Sequence, residues 1–156
     1  MSRPLPPAFL AIAFSASMIA PATAYAESHV PCNTLPAAVL QHAKLGAGDA
    51  TVRGCVKDRE NGKLTYEVET LKDGNSKDIT LDVSGKILEV EQEVAASSLP
   101  PAVSDAIAKA AHGSKLGKVE SVTREGAIAS YETTITSNGE RREVAFSPQG
   151  APVKAD

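Results

Sequence analysis

The chain has no tryptophan, and aromatic residues make up only 4% of its 156 positions. Tight protein interfaces lean on Trp, Tyr and Arg anchors, so an aromatic hot spot has little material here. A basic excess is missing too: 16 Lys+Arg stand against 19 Asp+Glu, a formal net charge of −3. That balance argues against nucleic-acid binding, which calls for a basic patch or stripe. There is no Gly-rich phosphate loop ahead of a helix and no metal-ligand cluster of standard spacing. Ser130 and Ser147 lack the context of a nucleophile elbow. The sequence therefore predicts a non-catalytic protein without a cofactor or a resident metal. The 42% apolar and 22% charged fractions are those of an ordinary globular chain.

Charge is also scarce at the start, where Arg3 is the only charged residue before Glu27. An apolar stretch runs from Ala8 to Ala20, and small residues follow to Ala24-Tyr25-Ala26. A basic start, a short apolar run and a small-x-small end describe a secretory signal peptide over 1–26. The run of roughly 13 residues is too short to cross a bilayer comfortably. Cleavage is expected after Ala26, with Ala24 as the alternative, and no membrane span would remain. Removing 1–26 takes Arg3 from the basic count and no acid, so the net charge of the remainder moves from −3 to −4. Both methionines, Met1 and Met18, leave as well, which excludes a thioether copper site. The expected location is periplasmic or secreted, in a bacterium.

Export leads to an oxidising compartment, where two cysteines tend to pair. Cys32 and Cys55 are expected to form one disulfide. It closes a loop of about 24 residues, a constraint of about 3 kcal/mol on the unfolded chain. The rival reading is metal binding by His29, Cys32, His42 and Cys55, but their spacing fits no standard zinc pattern.

After the leader, the sequence is written twice. Leu35-Pro-Ala-Ala-Val39 recurs as Leu99-Pro-Pro-Ala-Val103. Leu64-Thr-Tyr66-Glu67 recurs as Ala129-Ser-Tyr131-Glu132, at an offset that differs from the first by a single position. Gly74 matches Gly139, Gly85 matches Gly150, and Ile79 and Leu81 match Val144 and Phe146 at that same offset. Each copy opens with a helix. Thr34 and Ser98 are N-cap residue types, with Pro36 and Pro100 in the first turn. Val103, Ile107 and Ala110/Ala111 form one apolar stripe. Gly46 and Gly113 are expected to end the helices, with His42 and His112 in their last turns.

Strands follow each helix. Leu64, Tyr66, Val68 and Thr70 alternate with polar neighbours, as do Ile79, Leu81 and Val83, and then Leu88, Val90 and Val94. Such period-two patterning makes an antiparallel sheet with one face on the core and one in water. Asp73-Gly74, Ser84-Gly85 and Asn138-Gly139 are hairpin-turn dipeptides. An earlier strand, around Ala50 to Asp58, carries Cys55, and Gly54 marks a bulge there. The predicted fold class is α+β: two tandem repeats, each an N-terminal helix packed on an antiparallel sheet of about four strands.

These residues carry a resemblance. Leu35-Pro-Ala-Ala-Val39, Gly62-Lys-Leu-Thr-Tyr66-Glu-Val68, Asp73-Gly74 and Val83-Ser-Gly85-Lys-Ile87 resemble the PepSY-like domain family. So do Leu99-Pro-Pro-Ala-Val103, Tyr131-Glu132, Asn138-Gly139 and Gly150 in the second copy. The resemblance implies a segment 27–34 followed by PepSY-like repeats over 35–98 and 99–156. The tandem form resembles the fold of beta-lactamase-inhibitory proteins. It implies binding or regulation of a periplasmic protein, such as a peptidase, and no catalytic residues.

Charge is distributed unevenly. Residues 27–98 hold 12 acidic and 8 basic groups, and residues 99–156 hold 7 of each. Strand alternation puts Glu67, Glu69, Asp78, Asp82, Glu89, Glu91 and Glu93 on the predicted wet face. A solvated, edge-protecting surface is one reading. A binding face for a basic protein or peptide is the other. Three glutamates along one strand do not wrap a calcium ion. A periplasmic ligand or metal sensor using His29, His42 and this face is the alternative function.

Overall fold

The computed structural model describes residues 27–60 and 62–155. The expected leader and its cleavage positions, Ala24 and Ala26, lie outside the described residues. The strands, in chain order, are β1 (Ser28–His29), β2 (Thr51–Glu60), β3 (Lys63–Lys72), β4 (Asn75–Asp82), β5 (Ile87–Val94), β6 (Lys115–Arg124), β7 (Ala127–Ser137), β8 (Glu140–Phe146) and β9 (Pro152–Val153). The helices are α1 (Ala37–Ala47) and α2 (Pro101–Ala111).

The strands form one antiparallel sheet in simple sequence order, β1 to β9. This corrects the expected fold of two tandem repeats, each a helix on its own sheet of about four strands. The join is the β5–β6 ladder, where Glu89 to Val94 pair with Arg124 to Val119. Two separate sheets would leave two interior edges of unpaired N–H and C=O groups. Pairing β5 with β6 satisfies both edges, and α2 sits in the connection between them. Side-chain alternation carries no mark of this choice, because the same faces are apolar either way.

Both helices lie on one face. Val39, Ala43 and Ala47 of α1 are buried over Cys55, Val68, Ile79 and Leu81. Val103, Ile107 and Ala111 of α2 are buried over Val119, Tyr131, Ile135, Val144 and Phe146. Val90 packs against the first cluster and Val94 against the second. These two residues stand on the same side of β5, so the clusters share a sheet face.

The helix ends differ from expectation. Pro36 and Pro100 are the N-caps, and neither supplies a side-chain cap. Thr34 and Ser98 end 3-10 turns, and their hydroxyls donate back to Pro31 O and Ala95 O. A proline at the helix start lacks one of the N–H groups that the first turn leaves unpaired. Helix α1 runs through Gly46 to Ala47 and is capped by Gly48 at φ 65°. Gly46 stays helical where a side chain would crowd Ile79, and Lys77 Nζ donates to its carbonyl at 2.6 Å. His42 therefore sits inside the helix, where its Nδ1–H donates to Gly85 O at 2.6 Å. His112 is the α2 C-cap, in the left-handed region at φ 46°.

Cys32 and Cys55 form the disulfide, with their Cα atoms 5.2 Å apart. It ties the segment after β1 to β2, alongside the bond from Val30 N–H to Cys55 O. The register shift between Val52 and Gly54 is the expected bulge. Cys55 faces the helices and is 2% exposed.

Candidate functional site

The sheet face away from the helices is assembled by cross-strand register. One row runs His29, Val56, Glu67, Thr80, Glu89, Arg124. The next runs Gly54, Glu69, Asp78, Glu91, Val122, Ser130. A third runs Glu93, Glu120, Glu132, Ala145, Val153. Directly opposed residues in antiparallel strands have Cβ atoms about 5 Å apart. Glu69, Asp78 and Glu91 are therefore stacked in a ladder across three strands. Glu93, Glu120 and Glu132 make a second ladder.

Among the described residues no helix covers this face, yet parts of it are deeply buried. Val56, Val122, Ser130, Ala145 and Glu132 are all shielded from water, with Glu132 only 6% exposed. Side chains of adjacent rows cover one another, and we term this helix-free face the trough. Gly54 leaves room for Glu69 because it lacks a side chain, and a Cβ there would collide with the Glu69 carboxylate.

Burial and like charge raise four of these carboxyls. Glu67 is pushed up to about 7, first by burial and then by the charges of Asp78, Glu69, Glu27 and Glu89. Glu91 is pushed up to about 8 by burial, then by Glu89 and Glu120. Asp78 and Glu132 are raised as well, with burial the largest cause in each. Desolvation penalises the charged form, and a neighbouring charge of like sign adds to it. Ser130 Oγ donates to Glu132 Oε1 at 2.9 Å.

The cations that ion pairs bring into these rows are Arg124, on Glu89, and Lys118, on Glu93 at 2.7 Å. Lys118 holds the Glu93 carboxyl below its usual range, helped by the Ser76 N–H. Ser76 Oγ also donates to Glu120 Oε1 at 3.1 Å.

The seven sequence-predicted residues separate into sets. Glu67, Glu69, Asp78, Glu89 and Glu91 come together in the middle of the trough. Glu93 lies at its margin with Lys118. Asp82 leaves the group, because its Oδ1 accepts from Ser84 N–H, Ser84 Oγ and Lys86 N–H in the β4–β5 turn. Glu120 and Glu132 are additions to the predicted face. A signal for Glu132 exists in the sequence, since Tyr131-Glu132 repeats Tyr66-Glu67. Only the β5–β6 join, which alternation cannot reveal, brings the two beside the others.

The rival metal set is not assembled. Its two sulfurs are bonded to each other, His42 serves the Gly85 turn on the helix side, and His29 stands in the first row. Among the described residues no group of three or more His, Cys, Asp or Glu is placed to hold a metal ion. Two surface clefts, of about 320 and 370 Å³, lie at the C-terminal ends of α1 and α2, away from the centre of the trough.

No protein-family model matches the chain, and no curated protein matches it. Solved structures do share its fold. A DUF2874 family protein from Bacteroides ovatus ATCC 8483 superposes with TM-score 0.60 at 18% identity, over 78% of this chain and 86% of that one. A protein described as periplasmic, from Bacteroides eggerthii DSM 20697, gives 0.64 at 14%, over 77% and 86%. A BLIP-like protein from Bacteroides fragilis NCTC 9343 gives 0.58 at 19%, over 77% and 84%. The fold is thus BLIP-like, while the PepSY-like resemblance has no matching family model. No helix among the described residues is long and apolar enough to cross a membrane.

Proposed function

We propose that this chain is an exported, non-catalytic binding module whose helix-free trough captures a basic segment of a protein or peptide. The observation that carries this reading is the concentration of Glu67, Glu69, Asp78, Glu89 and Glu91 on one half-buried sheet face. That face has lost water that would otherwise screen its charges, so an incoming Lys or Arg meets a strong field. A structural neighbour described as periplasmic and the leader-like residues 1–26 support an exported location. The finer role is regulation of a periplasmic partner, a peptidase being one class, by occupying its basic surface.

The trough is poor in aromatic anchors, since Tyr66 and Tyr131 belong to the helix-side clusters. Binding then rests on charge, which gives fast association and strong salt dependence more than extreme affinity. The test is fluorescence anisotropy of a labelled oligo-lysine peptide against wild type and Glu67→Lys/Glu69→Lys/Glu91→Lys, with folding checked by circular dichroism. Wild type should bind, and weaken as salt rises. The folded triple variant should lose binding. Equal binding by the variant, or none by wild type, overturns the reading.

A further inference from the structure

The carboxylates of the trough are more crowded than its cations can neutralise. Glu69, Asp78 and Glu91 stand directly opposite one another across three neighbouring strands. Like charges at that spacing are destabilising. Burial makes the conflict worse, because water cannot separate them. Crowding of like charge favours the protonated form of a carboxyl, as it does in paired carboxylates.

The groups that face Glu67 and Glu91 are acidic on nearly every side. From β1 and its flank come His29 and Glu27, from β2 Asp58, from β3 Glu69, and from β4 Asp78. From β5 come Glu89 and Glu93. From β6 come Glu120, Lys118 and Arg124, and from β7 Glu132. Arg124 and Lys118 are already engaged with Glu89 and Glu93. A separate observation points to a missing donor: Asp58 Oδ1 is buried with no hydrogen-bond partner among the described residues. Asp58 stands on the same side of β2 as the buried Val56 and pairs with Thr65, so the unfilled acceptor lies at the rim of the same face.

We propose that capture is proton-linked: a basic segment entering the trough displaces protons held by Glu67 and Glu91. Each cationic side chain then takes the place of a proton, and binding tightens as pH rises through neutrality. The inference rests on the trough being the capture site. It adds that occupancy responds to acidity, so the protein holds its partner in neutral surroundings and releases it in mildly acidic ones.

Calorimetry of the leader-free chain with an oligo-lysine peptide tests this directly. Titrations near pH 7 in two buffers of different ionisation enthalpy count the protons released. The expected result is about one proton per binding event, with affinity rising about tenfold per pH unit near neutrality. Glu67→Gln/Glu91→Gln, which also removes two capture groups, should bind more weakly than wild type near pH 8 and should lose most of the proton release and of the pH dependence. Binding by wild type with no proton release and no change in affinity across that range overturns the proton linkage while leaving the capture site standing. No binding at any pH overturns both.

Discussion

Glu67 and Glu91 have ordinary carboxyls in the unfolded chain and raised ones in the fold, to about 7 and about 8. The native state therefore binds more protons than the unfolded state from about pH 4.5 up to about pH 8. Stability falls as pH rises through that window, and the loss is complete above it. Together the two groups are worth on the order of a few kcal/mol, reduced by their partial exposure. Thermal unfolding followed from pH 5 to pH 8 should show a falling midpoint, and Glu67→Gln/Glu91→Gln should flatten the curve and raise its alkaline end. Below about pH 4.5 the direction reverses, because Asp49, Asp82 and Glu93 have lowered carboxyls. Groups of that kind contribute stability that is lost as pH falls through their folded values. The maximum is expected near pH 5. Glu67, Glu69, Asp78, Glu89 and Glu91 are all legible from strand alternation. Asp82 is not, because its parity is right but its carboxylate is committed to a turn that only local geometry defines.

At the scale of elements, two turn glycines hold the helices down. A Cβ on Gly85, at φ 86°, would stand 2.8 Å from Ala38 O, and one on Gly150, at φ 79°, would collide with Ala102 O. Gly74 has a similar φ of 87° but open space around it. Denaturant unfolding should separate the two effects. Gly74→Ala is expected to cost about 1 kcal/mol from backbone strain alone. Gly85→Ala should cost about 2 kcal/mol or more, because the helix must also move. The disulfide is a second tether. β1 pairs with β2 only through Ser28 and His29, so Cys32 is its main anchor. Cys32→Ala/Cys55→Ala should lower stability by about 3 kcal/mol and speed amide exchange in Val30 and its neighbours. The strand and turn positions are readable because alternation and Gly-containing turns are local. The helix starts are not, because Pro36 and Pro100 take the cap positions and leave Thr34 and Ser98 in the preceding 3-10 turns.

For the whole molecule, one continuous sheet matters more than the doubling of its sequence. Had β5 and β6 remained edges of separate sheets, Glu120 and Glu132 would stand apart from Glu91 and Glu93. Joining the sheets instead sets both groups on one acidic face, where Glu132 is buried. No residue announces that join, because it satisfies backbone groups that every sequence possesses. The central claim is that this trough, and no other surface, takes a basic segment. It is tested most directly by the amide chemical-shift map of the ¹⁵N-labelled protein titrated with oligo-lysine near pH 8. The account predicts the largest shifts at Glu67, Glu69, Asp78, Glu91 and Val122, with α1 and α2 unmoved. Shifts concentrated on the helices or spread evenly over the acidic surface would contradict it.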